Sequence, residues 1–163
     1  MIDKEWMKMM HHNLYKILSW LMVILWMGLI FYLSHQPATE SDQLSGGVVD
    51  LVIQTFERVL PLIHLDWSGF HHIVRKSAHL IAYLILGILV LHALRQVKLL
   101  SWHSVIGALI ICVCYAISDE IHQLFIPGRS GEVKDVLIDS VGAIIGVGLY
   151  EGLRILIHKI RLR

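Results

Sequence analysis

The feature of this sequence most able to do chemistry is a polar segment at residues 116–139, which joins two strongly apolar runs. Its charged residues include Asp119, Glu120, Arg129, Asp135 and Asp139. Ionisable groups at or just inside a membrane boundary cost free energy unless they are paired or functional. This segment is therefore the first candidate for a site.

The spacing within the segment predicts a helical hairpin. The Pro-Gly pair at 127–128 favours a tight turn, because Pro presets φ at the first central position and Gly tolerates a positive φ at the second. Asp119 and Gln123 lie four residues apart before the turn, and Asp135 and Asp139 lie four apart after it. Each pair therefore shares one helix face.

A second polar stripe precedes another apolar run. Arg75, His79 and Tyr83 recur every four residues, and Lys76 lies beside them. In a pocket, Arg75 and Arg129 could hold phosphate or carboxylate oxygens by forked hydrogen bonds, and His79 with a carboxylate could move a proton. Tyr83 fits a packing role better than that of a catalytic acid.

The histidine and cysteine positions predict no metal and no cofactor, because neither neighbouring His pair has helical metal-ligand spacing. No Ser or Cys lies in a recognisable nucleophile motif, so no residue is assigned as catalytic and the sequence leaves enzymatic activity open.

The composition predicts one membrane domain. The chain of 163 residues is 56% hydrophobic and only 17% charged, with a mean hydropathy of +0.65, whereas a soluble domain carries more charge. The formal charge of +1 and the lack of a basic cluster argue against a nucleic-acid partner.

The elements predicted to position these residues are all α-helical, so the predicted fold class is an all-α integral membrane protein with four transmembrane helices. Apolar runs of about 20 residues cross the hydrocarbon core, and the predicted spans are 14–33, 77–95, 104–122 and 133–157. A cytoplasmic or interfacial segment at 1–13 precedes this domain of residues 14–157, and a basic tail at 158–163 follows it. Apolar residues on one face of residues 47–60 predict an amphipathic surface helix in the first outer loop.

Two small residues on the last helix predict close packing. Gly142 and Gly146 continue the helix face of Asp135 and Asp139, and a small-xxx-small pattern lets a neighbouring backbone approach closely.

The distribution of basic residues predicts the orientation. Nine Lys and Arg residues lie in the N-terminal segment, the 95–103 loop and the tail, and five lie on the other side. With four spans, both termini are then cytoplasmic, and the polar groups converge on the outer face. Reporter fusions at Pro127 and Asp66 should therefore read as extracytoplasmic, and fusions at Lys98 and Arg163 as cytoplasmic. A cytoplasmic signal at Pro127 would contradict both the topology and an outward-facing site.

Two interpretations of the polar residues remain open. In the first, Arg75, Lys76 and Arg129 neutralise the carboxylates in an internal ion network, so that Asp139→Ala destabilises and a second change, Arg75→Ala, restores stability. In the second, the same residues form a polar pocket that opens outward. The acidic residues in this region slightly outnumber the basic ones, which favours a zwitterion or an amphiphile over a bare anion.

These residues also carry a resemblance to a known family. The segments at 75–87 (RKSAHLIAYLILG), 118–129 (SDEIHQLFIPGR) and 135–142 (DVLIDSVG), with Ser-His-Gln-Pro at 34–37, resemble in order the motifs of the VanZ-like family of bacterial membrane proteins. The resemblance covers about residues 20–150. It implies a small multi-pass protein of the bacterial plasma membrane, and the family's namesake is associated with resistance to the glycopeptide teicoplanin.

Three functional hypotheses follow. The first is an envelope protein that binds a lipid or a lipophilic glycopeptide at the outer leaflet. It predicts a larger change in susceptibility to teicoplanin, which carries an acyl chain, than to vancomycin, which lacks one. The second is a membrane enzyme that acts on a lipid-linked phosphate or amide. The third is a scaffold subunit without a ligand; the number of charges at one depth argues against it, and no oligomeric state is predicted.

Overall fold

The computed structural model describes residues 4–37, 46–47, 51, 70–97 and 101–162. Four long helices contain most of these residues: α1 Lys4–Ser34, α2 Phe70–Arg95, α3 Ser101–Gln123 and α4 Val133–Arg161. All four are long and apolar enough to cross a membrane, and no strand occurs in the described ranges. The predicted all-α membrane protein with four transmembrane helices is therefore confirmed.

Each helix contains one of the predicted membrane spans and can be longer than it. α1 begins at Lys4, ahead of the span predicted at 14–33, because the Met- and Lys-rich N-terminal stretch contains no Pro or Gly to interrupt the helix. α2 begins at Phe70, α3 at Ser101 and α4 at Val133. The predicted amphipathic helix at 47–60 falls on a segment of which only residues 47 and 51 are described.

The α2–α4 pair is the closest helix contact of the fold, and glycines make it possible. A Cβ added to Gly142 would overlap the backbone carbonyl oxygen of Leu80, and one added to Gly146 would overlap that of Leu84. On the facing helix, a Cβ on Gly87 would lie 2.7 Å from the carbonyl oxygen of Ala143. The predicted close approach along the glycine face of α4 is therefore present, and its partner is α2.

Side-chain hydrogen bonds to backbone carbonyls attach α1 to the other helices. Trp26 Nε1 donates to the carbonyl of Ala82 on α2 at 2.9 Å. The Tyr115 hydroxyl on α3 donates to the carbonyl of Met27 at 2.6 Å. Such contacts suit a membrane interior, where a polar group that lacks a partner cannot turn to water. They attach α1 to α2 and to α3 in the interior of the bundle.

The α3–α4 connection contains the predicted turn. The amide of Arg129 donates to the carbonyl of Ile126 at 3.1 Å, and Gly128, between them, has a φ of 76°. A positive φ at the second central position after a Pro defines a type II turn, which favours glycine there. The turn reverses the chain, so α4 returns beside α3 and the carboxylates of both helices lie at the same end of the bundle.

Candidate functional site

Three helices bring four ionisable side chains together in what we call the four-residue cluster: His79 from α2, Asp119 and Glu120 from α3, and Asp139 from α4. Each offers one imidazole nitrogen or carboxylate oxygen, and these four atoms all lie within 4.8 Å of one another. The exposed fraction is 0% for Asp139, 2% for Asp119 and 5% for Glu120. The three carboxylates are therefore removed from solvent, where an uncompensated charge is costly.

The close approach of α2 and α4 places His79 beside Asp139. Asp139 lies one helical turn before Gly142, whose missing side chain lets the two backbones meet. His79 Nδ1 is 3.4 Å from Asp139 Oδ1. The packing glycines of α4 thus set the distance between the imidazole and this carboxylate.

Hydrogen-bond donors hold the two carboxylates of α3 in place. Asp119 Oδ2 accepts from the Ser34 hydroxyl at 2.8 Å and from Gln123 Nε2 at 3.4 Å. Gln123 Nε2 also donates to Glu120 Oε1 at 3.3 Å, and the backbone amide of Glu132 donates to Glu120 Oε2 at 2.8 Å. The i, i+4 relation of Asp119 and Gln123 predicted from sequence is therefore a direct contact, and the end of α1 completes it through Ser34.

Other polar atoms in the same place have no hydrogen-bond partner among the described residues. They are Asp119 Oδ1, both carboxylate oxygens of Asp139 and the Tyr83 hydroxyl. The 3.4 Å approach of His79 Nδ1 to Asp139 Oδ1 lacks the geometry of a hydrogen bond, and it is an ion pair only when the imidazole is protonated. Because buried polar groups are nearly always paired, these oxygens indicate a site with capacity for a further positive or proton-donating group.

An ion pair lies about one helical turn away from the cluster along α2 and α4. Lys76 Nζ is 3.5 Å from Asp135 Oδ1, and the two side chains are 40% and 15% exposed. The pair is more accessible than the cluster, and it presents both signs of charge near the ends of its helices.

An open groove begins at this ion pair. It has a volume of about 460 Å³. Its lining residues are Ile73, Lys76, Ser77, Leu80 and Ile138. Four of them lie on one face of α2 and the fifth on α4, so the groove follows the α2–α4 contact with mostly apolar walls and one cationic side chain.

The two arginines among the predicted site residues have different surroundings. Arg129 Nε donates to the carbonyl of Gln36 at 2.8 Å, and its Nη2 donates to the carbonyl of Leu33 at 3.1 Å. It therefore supplies donors to the carbonyls that the end of α1 leaves unpaired. No hydrogen bond or ion pair joins the half-buried Arg75 to a carboxylate in the described ranges.

Of the ion network considered from sequence, the described residues contain the Lys76–Asp135 pair. The partner that faces Asp139 is His79 and not Arg75, so a double change of Asp139 and Arg75 does not remove a contacting pair. In the sequence, Ser34 stood out only as part of the Ser-His-Gln-Pro motif at 34–37, and nothing there identified the groove. The groove has no sequence signal, since its walls are ordinary apolar residues of two membrane helices.

The VanZ/LLP1 family model matches residues 19–157 of the chain. That range contains α2 and α3 in full and all members of the four-residue cluster. No curated protein and no solved structure matches the chain.

Proposed function

Since the chain belongs to the VanZ/LLP1 family and has four membrane-spanning helices, we propose that it binds a membrane amphiphile in the groove between α2 and α4. The amphiphile carries an acyl chain and a headgroup with a phosphate or carboxylate. The observation that carries this proposal is the groove itself: apolar walls that run along two membrane helices, with the Lys76 ammonium among its lining side chains.

The charges at the groove support a headgroup with both signs. The Lys76 ammonium, 40% exposed, can donate to phosphate oxygens by charge-assisted hydrogen bonds. Asp135 at 3.5 Å can accept from an ammonium on the same headgroup. A zwitterionic phospholipid satisfies both residues, whereas inorganic phosphate uses one of them and leaves the apolar walls empty.

We place this groove in the outer leaflet of a bacterial plasma membrane, with both termini cytoplasmic. The nine-to-five distribution of basic residues supports that orientation. A lipoglycopeptide of the teicoplanin type shares the acyl chain and the mixed charges with a phospholipid. If the groove takes such a drug, expression of this protein should change susceptibility to teicoplanin more than to vancomycin, because the acyl chain brings the drug into the leaflet.

A pair of tryptophan variants on α2 tests the groove. Ser77→Trp places an indole in the groove, while Ile81→Trp places one on an exposed position of the same helix that does not line it. A photoreactive phosphatidylethanolamine is offered to each purified protein in mixed micelles, and covalent labelling is measured by mass spectrometry. We expect labelling of groove residues to fall at least about fivefold in Ser77→Trp and to stay at the wild-type level in Ile81→Trp. Equal labelling of all three proteins would contradict the proposal.

One observation favours a second candidate function, hydrolysis of a lipid-linked phosphate. The four-residue cluster lies about one turn from the Lys76–Asp135 pair, close to where the headgroup would bind. In that reaction the oxygen of water bonds to phosphorus, the bond from phosphorus to the leaving oxygen breaks, and a carboxylate or the His79 imidazole takes the proton from water. Release of inorganic phosphate from an added lipid diphosphate separates this function from binding alone.

A further inference from the structure

We propose that the four-residue cluster of His79, Asp119, Glu120 and Asp139 binds one divalent transition-metal cation, of which Zn²⁺ and Mn²⁺ fit the donors, inside the helix bundle. The site is distinct from the groove, so metal binding can be tested whether or not the groove binds an amphiphile. It also departs from the expectation, drawn from His and Cys spacing, that the chain holds no metal.

The donor set selects the class of cation. One imidazole nitrogen and three carboxylate groups offer borderline and hard ligands together. Imidazole suits zinc, iron, nickel and copper, while carboxylates suit manganese, magnesium and calcium. The ions that accept both kinds of ligand are first-row divalent ions such as Zn²⁺ and Mn²⁺, and the nitrogen ligand disfavours Mg²⁺ and Ca²⁺, which take oxygen ligands.

The unpartnered oxygens indicate that a ligand completes the cluster. Asp139 is 0% exposed, and neither of its carboxylate oxygens has a hydrogen-bond partner among the described residues. Asp119, 2% exposed, likewise has an unpartnered oxygen, Oδ1. Fully buried carboxylates survive in proteins when they are paired or coordinate a metal. A divalent cation supplies the missing charge and gives these oxygens a partner.

The hydrogen bonds around the cluster resemble the outer shell of a metal site. Ser34 and Gln123 both donate to Asp119 Oδ2 and leave Oδ1 open. Gln123 and the Glu132 amide hold Glu120 through one oxygen each. In metal sites such donors orient the ligating carboxylates and are needed for full affinity. The carboxylates of α3 are thus held in place without being neutralised.

The basic side chain that contacts Asp139 is His79. In the described part of the chain, Lys76 pairs with Asp135, and His79 is the only basic side chain within salt-bridge distance of Asp139. A single imidazole does not balance three ionised carboxylates, so a divalent cation would supply charge that this contact does not.

The four donor atoms are close enough to converge on one ion. Bonds of about 2.1 Å in a tetrahedral zinc site place the ligand atoms about 3.4 Å apart, and the four atoms here lie within 4.8 Å of one another. Binding therefore requires the side chains to draw together by about an ångström.

Metal binding by the purified full chain tests the site. The protein is stripped with a chelator, then titrated with MnCl₂ by electron paramagnetic resonance and, separately, with ZnCl₂ by calorimetry. We expect one equivalent of at least one of the two ions to bind. Asp139→Asn and His79→Gln should each weaken binding of that ion at least about tenfold. The matched control is Asp135→Asn, which removes a carboxylate one turn away on the same helix and should change the affinity less than about twofold.

Three results would overturn the proposal. The first is that neither ion binds to folded wild-type protein, with folding shown by thermal unfolding in the same buffer. The second is an equal loss of affinity in Asp135→Asn and Asp139→Asn, which would indicate a diffuse acidic surface. The third is tighter binding of Mg²⁺ or Ca²⁺ than of both test ions, which would exclude the imidazole as a ligand.

Discussion

Replacing Gly146 with alanine is expected to lower the free energy of unfolding by about 1–2 kcal/mol, a large effect for one added methyl group. The added Cβ would overlap the carbonyl oxygen of Leu84. A backbone atom in a packed helix cannot rotate away as a side-chain tip can, so α2 and α4 have to separate. Overpacking of a well-packed contact costs about 1–3 kcal/mol.

Helix propensity acts in the opposite direction, so the sign of the change identifies the cause. Alanine is better than glycine in a helix interior by up to about 1 kcal/mol. Gly148 is the matched control, because it lies on the same helix and a Cβ there meets nothing within 4 Å. Gly148→Ala should therefore be neutral or stabilising. Reversible unfolding by sodium dodecyl sulfate in mixed micelles measures both values, and equal stabilities for the two variants would refute the close α2–α4 contact.

The contact matters for the site because it positions the imidazole. His79 faces Asp139 only when the backbones of α2 and α4 approach as closely as the glycines of α4 allow. A variant that separates these helices should lengthen that contact as well. The packing of the fold and the chemistry of the four-residue cluster thus depend on the same glycine face of α4.

The four helices could be predicted from sequence, because each contains a long apolar run that its length and hydropathy identify as a membrane span. Their ends could not, because the same patterns do not mark where a helix stops outside the hydrocarbon core. α1 extends back to Lys4 through residues that include no Pro or Gly to end the helix. The Pro-Gly turn at 127–128 was predictable, because its two residues carry the required backbone angles themselves.

The contacts of the candidate site that lie within one helix could be predicted from sequence, whereas the contacts between helices could not. The Asp119–Gln123 contact follows from helical spacing alone. Arg129 and Arg75 look alike in sequence, but Arg129 reaches the end of α1, whereas Arg75 contacts no carboxylate among the residues that the structure describes. The four-residue cluster draws its members from three helices, so no spacing rule within one helix could reveal it as a set of possible metal ligands.

The second large effect is a change in the free energy of unfolding when Asp139 is replaced by asparagine. Its sign is opposite to the sign expected if the buried charges already neutralised one another. In the presence of a chelator, Asp139→Asn is expected to be more stable than wild type by about 1–3 kcal/mol, the usual cost of a buried unsatisfied polar group. The substitution keeps the shape of the side chain, removes a charge next to Asp119 and Glu120, and adds an amide that can donate to the open Oδ1 of Asp119. Removing one member of a balanced buried pair would instead cost about 3–5 kcal/mol.

Adding the metal should reverse the order of stability. A ligand that binds only the folded state stabilises it by about 2.7 kcal/mol at one hundred times its dissociation constant. Wild type gains this stabilisation, and Asp139→Asn, with one ligand lost, gains much less. Asp135→Asn serves as control, because its carboxylate pairs with Lys76 outside the cluster and its response to metal should follow wild type.

The free energy of unfolding of wild type and Asp139→Asn, with chelator and then with saturating ZnCl₂ or MnCl₂, is the most direct test of whether the four-residue cluster is a cation site. The expected result is that Asp139→Asn is the more stable protein without metal and the less stable one with it. If Asp139→Asn is less stable than wild type by about 3–5 kcal/mol in chelator, and metal leaves that difference unchanged, then the cluster is a structural ion network and the cation site does not exist.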